Sequence, residues 1–378
     1  GNYLILRHSA RDHAGTFIID SKNVTIENLN MYQNGGLGIL SQFCENLTFK
    51  HVNCVPNLAK NRYFAGHDDG IHCWNDKGLI LVDSCRFLGL MDDPINVGGT
   101  YVIVKKKIDG KTLKCRFNFW QCTGLTWGHI NDIIGFIERQ SMQTIAEGTI
   151  KKFQCLDRDE FVLEFYNPVP AEIKEGDVLE NLTWSPDVTI QNSKFGSCRA
   201  RGILVSTPGK VLIDKNEFES NGSAILITGD VNQWMESGGV KDILIRNNTF
   251  NDPCMTGMYE YCEGIISIFP NMPKPDENKP FHRNIRIENN VFHPFDYSVL
   301  YARSSDGLSF KGNTLIRSQH YQPFHQRKYT FTFEYCRNVK ILDNKLKGEI
   351  LGRNIKLVST PVQQLILDRK QGLVIEKQ

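Results

Sequence analysis

Two aspartate pairs carry the most chemistry in this 378-residue chain. They sit in His67-Asp68-Asp69-Gly70-Ile71 and Met91-Asp92-Asp93-Pro94-Ile95, with equivalent residues 24 positions apart. Crowded carboxyls raise one another's pKa, so a protonated acid and an ionised base coexist at neutral pH. Glycoside hydrolysis needs that combination, one carboxyl to protonate the leaving oxygen and another to activate water or attack. The same residues also fit two other uses: a calcium site, or simple turn chemistry, since Asp before Gly or Pro is a common turn residue. Which use applies depends on whether the fold stacks the two pairs.

A repeat supplies the stacking. Nine segments place apolar residues at positions 1 and 3, the alternation of a strand with one buried face. They begin at Val24, Leu47, Ile80, Val188, Val211, Ile243, Ile285, Leu308 and Val339. Most carry Asn at position 5 or 6, and several have Phe at position 8, as at Phe87, Phe195, Phe218, Phe250 and Phe292. About 15 residues on, each unit has a second short strand, such as Gly70-Ile71-His72, Pro94-Ile95-Asn96-Val97 and Gly202-Ile203-Leu204-Val205. Short strands and Gly/Asn turns stacked coil on coil predict an all-β, right-handed parallel β-helix. The Asn amides are expected to hydrogen-bond from coil to coil and to accept left-handed backbone angles.

One interval, Ile80 to Val188, is too long for a single coil. The segment within it has a different texture, with Tyr101-Val102-Ile103-Val104, an Asp109-Gly110 turn and Phe161-Val162-Leu163-Glu164-Phe165. It reads as a small antiparallel β-barrel-like domain spliced between coils. The expected division is residues 1–99 as N-terminal coils, 100–184 as the inserted domain and 185–378 as C-terminal coils. Gly1-Asn2 followed at once by strand-like Tyr3-Leu4-Ile5-Leu6 reads as a cut through a larger pattern.

In this register Asp69 lies against Asp93 and Asp68 against Asp92, at about the 4.8 Å spacing of neighbouring strands. Like charges stacked in this way destabilise a sheet, so their presence asks for a use. The next coil places Arg199-Ala200-Arg201 in the same register, and a later one places Glu263 there. Arg199 and Arg201 either bind sugar hydroxyls or a carboxylate, or neutralise the aspartates. His67 and His72 flank the first pair, with packing as the alternative for His72. Trp74 and Trp234 are candidates to stack on a sugar face or to cover the core. Glu236 lies in the long loop Gly229–Gly238, and Tyr259 and Tyr261 lie in another; such loops invite binding roles.

Composition sets outer limits. Lys and Arg number 44 against 42 Asp and Glu, a formal charge of +2, which excludes a general nucleic-acid binder. No apolar run is long enough to span a bilayer as a helix. Eleven cysteines show neither a disulfide framework nor metal-ligand spacing, and several fall at apolar positions, so buried free thiols are expected.

The order of these segments resembles glycoside hydrolase family 110, exo-acting α-1,3-galactosidases of the blood-group-B-cleaving type. The resemblance rests on Leu4-Ile5-Leu6-Arg7-His8, Asp68-Asp69, Met91-Asp92-Asp93-Pro94-Ile95-Asn96-Val97, the inserted domain, Cys198-Arg199-Ala200-Arg201-Gly202 and Trp234-Met235-Glu236-Ser237-Gly238. Pro94 and Gly98 depart from the pattern. What the resemblance implies is metal-independent and cofactor-free hydrolysis with inversion, releasing terminal α-linked galactose from an oligosaccharide or glycoconjugate. It makes Asp92 the general acid and gives Asp69 and Asp93 the water. Asp68, Arg199, Arg201, Trp234, Glu236, His72 and Glu263 are then the expected substrate-binding set. Competing expectations are a polygalacturonase-like hydrolase, a calcium-dependent polysaccharide lyase and a non-catalytic glycan-binding β-helix. A glycan substrate suggests a secreted or periplasmic bacterial protein, and a solenoid end calls for a cap or a homo-oligomeric partner.

Overall fold

The computed structural model describes residues 13–257, 259, 261–323, 328–348 and 354–376. The segment Tyr3–His8, used above in the strand and resemblance readings, lies outside the described residues. Among the described residues there are strands and four 3-10 turns, with no α-helix.

Three parallel sheets run side by side along a β-helix. All nine repeat starts fall in one of them and pair in a single register: Val24 with Leu47, Leu47 with Ile80, Ile80 with Val188, and Val188 with Val211. A tenth strand, Leu365–Leu367, extends this sheet beyond the nine units read from the sequence. The second short strands form another sheet, in which Ile71, Ile95, Ile203 and Ile225 lie in line. Positions 1 and 3 point inward because only that face is dry. Ile80, Val82, Ile190 and Ile213 are fully or almost fully buried.

The third sheet carries the phenylalanines. Phe87, Phe195, Phe218, Phe250 and Phe292 stack ring on ring, with centroids 4.5 to 5.3 Å apart and planes within 14° of parallel. Coil spacing fixes this separation, which lies in the range where offset aromatic rings attract.

The two Asn positions of the repeat have separate jobs. Position 5 takes a left-handed backbone, as at Asn28, Asn192, Asn247 and Asn289, with φ between 51° and 58°. Position 6 is buried and builds a ladder. Asn248 Nδ2 donates to Ile213 O at 2.9 Å, while Asn290 Oδ1 accepts the Asn248 backbone N–H at 2.9 Å. Asn216, Asn290 and Asn313 repeat the pattern, so each turn closes on the next coil's amide.

The inserted domain is a closed six-stranded antiparallel barrel, running from Val102–Lys107 to Val178–Asn181. It has its own core around Trp127, Phe136, Phe161 and Phe165. The barrel leaves the helix directly from strand Ile95–Thr100 and docks back on it. Tyr101, Ile103 and Val178 pack against Val231, Met235 and Met272. Arg139 Nε and Nη2 both donate to Val231 O, at 3.0 and 2.8 Å, and Trp127 Nε1 donates to Thr100 O at 2.9 Å. The eleven cysteines are free thiols, and all but Cys155 are buried.

Candidate active site

The carboxylates sit where the chain turns into the sheet of second strands. Hydrogen bonds from Gly38 N to Asp69 O (2.8 Å) and from Gly70 N to Asp93 O (3.0 Å) continue the ladder into the turn and lay Asp69 against Asp93. The stack is tight: a Cβ on Gly70 would lie 2.7 Å from Pro94 O. Within it each side chain caps the coil above. Asp93 N donates to Asp69 Oδ1 at 3.2 Å, and Arg201 N donates to Asp93 Oδ1 at 2.9 Å. Arg201 Nη2 then returns to Asp93 Oδ2 at 2.8 Å, a charge-assisted bond between two buried side chains. The other oxygen of Asp69 meets His72 Nδ1 at 2.7 Å.

Asp92 occupies the bend just before Asp93 and joins the group. One oxygen from each of Asp69, Asp92 and Asp93 lies within 4.8 Å of the other two. Thus Asp92 and Asp93, adjacent in sequence, converge on one cavity rather than diverging across the bend. The Tyr259 hydroxyl reaches Asp92 Oδ1 at 3.5 Å. Arg199 and Arg201 both lie 4.8 Å from the centre of the Tyr259 ring and brace it as cation–π partners. Burial and the charge of Asp92 push the Tyr259 phenol up to about 12, so it stays protonated.

These groups open into a cavity of about 350 Å³, at the small end of the range for ligand sites. Its floor carries Asp69, Asp92, Asp93, Arg201 and His72, with Trp74 beside His72 at 4.9 Å between ring centroids. A second wall comes from Gly229–Gly238, which is more ordered than a surface loop. Asp230 Oδ1 accepts the backbone N–H groups of Asn232 and Gln233, at 2.6 and 2.9 Å. Glu236–Ser237 pairs antiparallel with Gly99–Thr100. Glu236 is therefore 9% exposed and lines the cavity with Trp234. Burial, followed by the charge of Asp230, pushes its carboxyl up to about 8, against the pull of Arg201. A third wall belongs to the barrel, through Phe119–Cys122 and Arg158.

Crowding and burial raise the proton affinity of the carboxylate group. Burial first, then the charges of Asp92 and Asp69, raise Asp93 well above the ordinary range, while Arg201 opposes them. Three carboxyls this close titrate as a unit and hold a proton at a pH where isolated ones would not. Asp93 accepts N–H donors at both oxygens, one of them from a guanidinium, and Asp69 accepts a backbone N–H at one oxygen and faces the His72 ring nitrogen at the other. Donors of that kind favour the ionised form.

Of the ten residues expected to act in catalysis or substrate binding, Asp69, Asp92, Asp93, Arg201, His72, Trp234 and Glu236 line the cavity, as do Trp74, Tyr259 and Tyr261. Three do not. Asp68 is fully buried behind the turn, 3.2 Å from His67 Nδ1. Arg199 sends Nε to Met91 O at 2.7 Å and acts on the cavity through Tyr259. Glu263 is held by its backbone to Ser298 Oγ and does not reach the lining. Sequence reading missed Asn96, Asp230 and the barrel wall. Asn96 was within reach, since it lies one residue after Ile95 in the strand leaving the Asp92-Asp93 turn.

Residues 112–179 match the family described as GLAA-B beta-barrel domain II. Over 357 residues, 94% of its length, the chain is 50% identical to Alpha-1,3-galactosidase B of Bacteroides thetaiotaomicron. The two are similar along nearly the whole of this chain. An Alpha-1,3-galactosidase A from Bacteroides fragilis shares 39% identity over 358 residues, again 94% of this chain. An Alpha-1,3-galactosidase B from Akkermansia muciniphila shares 34% over 369 residues. The chain covers 58%, 59% and 46% of these three relatives, so it spans only about half to three-fifths of each. These similarities agree with the resemblance drawn from the Met-Asp-Asp and Arg-Ala-Arg-Gly segments.

Proposed function

We propose that this protein releases terminal α-1,3-linked galactose from a glycan by single-displacement hydrolysis. The observation that carries the reading is the buried Asp69–Asp92–Asp93 group, three carboxyls close enough to share a proton, with Arg201 bonded to Asp93. Asp92 protonates the glycosidic oxygen as the bond to the anomeric carbon breaks. Asp69 and Asp93, side by side and both negative, hold a water by its two hydrogens and take its proton as it attacks. Arg201 favours the ionised form of Asp93 and offsets part of the charge that Asp92 acquires. The names of the relatives supply the linkage and the sugar, and a neutral hexose suits a cavity in a chain of near-zero net charge. Such glycans are met outside the cytoplasm, where we place the enzyme.

The test is Asp92→Asn. It is expected to lower kcat on an α-1,3-linked galactose disaccharide by about 10²–10⁴-fold, with melting temperature and galactose binding close to wild type. Full activity in the variant removes Asp92 from the acid role.

A second reading, double displacement, is favoured by the 4.8 Å limit on the carboxylate oxygens. Retaining enzymes place their carboxyls about 5–5.5 Å apart and inverting ones about 6.5–9.5 Å. Against it, a nucleophilic carboxylate needs an oxygen free to bond carbon, whereas Asp69 and Asp93 engage both of theirs.

A further inference from the structure

We propose that the inserted barrel builds the subsite for the sugar that leaves, with the Trp120 indole as its stacking platform. The proposal rests on the galactosidase reading and adds where the rest of the glycan lies.

Exposure along the cavity sets the direction. Asp93, Asp69 and Asp92 are 1%, 3% and 6% exposed, while Trp120, which lines the same cavity, is 64% exposed. The reacting carboxyls therefore lie at the bottom and the indole at the mouth. A terminal sugar that places its anomeric carbon among the carboxyls fills the bottom, and its aglycone must run outward past the mouth. There it meets a face supplied by the barrel. Phe119 lies 6.2 Å from the Trp120 ring and packs edge-on against Trp234 at 5.2 Å, tying the barrel segment to the Gly229–Gly238 wall. Arg158 lines the same side, its Nε bonded to Thr123 Oγ1 at 2.8 Å. An exposed aromatic beside a fixed guanidinium suits a pyranose ring: the apolar face stacks on the indole and a hydroxyl accepts from the cation.

A tryptophan this exposed is not part of a core. Its 3-10 turn, Trp120–Cys122, is anchored through buried Cys122 instead. Removing the indole is therefore expected to leave the barrel folded.

The experiment compares Trp120→Ala with wild type on two substrates, an α-1,3-galactobiose and methyl α-galactoside, whose methyl group has no ring to stack. On the disaccharide kcat/KM is expected to fall about tenfold further than on the methyl glycoside, mainly through KM, with the galactose inhibition constant moving far less. Trp120→Phe is expected to restore most of the difference. Equal losses on the two substrates, or none on the disaccharide, overturn the barrel subsite while leaving the galactosidase reading intact. A wild-type enzyme that releases galactose from neither substrate overturns both.

Discussion

Arg201 grips Asp93 at both oxygens, with its backbone N–H on Oδ1 and its guanidinium on Oδ2, at 2.9 and 2.8 Å. The contact joins two coils whose residues are 108 positions apart in sequence, because the whole barrel is inserted between them. The same contact puts a positive charge against three buried carboxyls. Burial works against the guanidinium charge, yet Asp93 and Asp92 raise its pKa further, so Arg201 stays charged.

Removing Arg201 should show what the contact is worth. Arg201→Met leaves buried carboxylates without their cation, a change that typically costs about 3–5 kcal/mol. The loss should be largest at neutral pH and shrink in acid, where the carboxyls take up protons. Denaturant melts at two pH values check this; a pH-independent loss would mean that packing, not charge, is the contribution.

Glu236 ties stability to pH. Its folded pKa of about 8 lies above the ordinary 4.5, so its contribution is full below about 4.5 and is lost as pH rises through 8. Buried Asp76, raised to about 7, acts in the same direction while accepting from Ser41 Oγ and Cys44 N. The melting temperature of the wild-type protein should decline from pH 5 to 9. Glu236→Gln and Asp76→Asn should each flatten that decline, and an unchanged slope in both would contradict the raised values.

The repeat was legible because its signals are local and periodic. Val188, Val211, Ile243 and Ile285 can be aligned by eye, and they stack in that alignment. Register in turn predicted Asp69 against Asp93. Register could not say which neighbour faces the cavity, and the turn sends Asp69 there while Asp68 goes behind it with His67. Glu236 read as a loop residue because the strand it joins is two residues long and pairs with Gly99–Thr100, 136 to 138 positions earlier. Phe119, Trp120 and Arg158 carried no signal at all, since only the docking of the barrel brings them to the mouth.

The Asn ladder offers a test of the scaffold away from the site. Asn248 is 1% exposed and bonded to the coils on both sides. Asn248→Ala strands the Asn290 and Asn216 partners and should cost about 1–3 kcal/mol or more by calorimetry. Asn247→Ala, one residue earlier at φ 54°, should cost less, through backbone strain and the loss of one part-buried bond from Asn247 Nδ2 to Asp214 Oδ1. The reverse ranking would mean that the amide ladder is not what closes the turns.

The three clustered oxygens also have the spacing of a cation site, and a calcium-dependent lyase would use them so. The hydrolytic account predicts that dialysis against a chelator leaves galactose release unchanged, and that no unsaturated, ultraviolet-absorbing ends form. Loss of activity on chelation, restored by calcium, would transfer the three aspartates to a metal.

The most direct measurement is proton NMR of the galactose released from an α-1,3-galactobiose, followed from the first turnover. The account predicts that β-galactose appears first and mutarotates to the equilibrium mixture afterwards. Initial α-galactose would contradict the water held between Asp69 and Asp93 and make one of them a nucleophile; no galactose at all would contradict the hydrolysis itself.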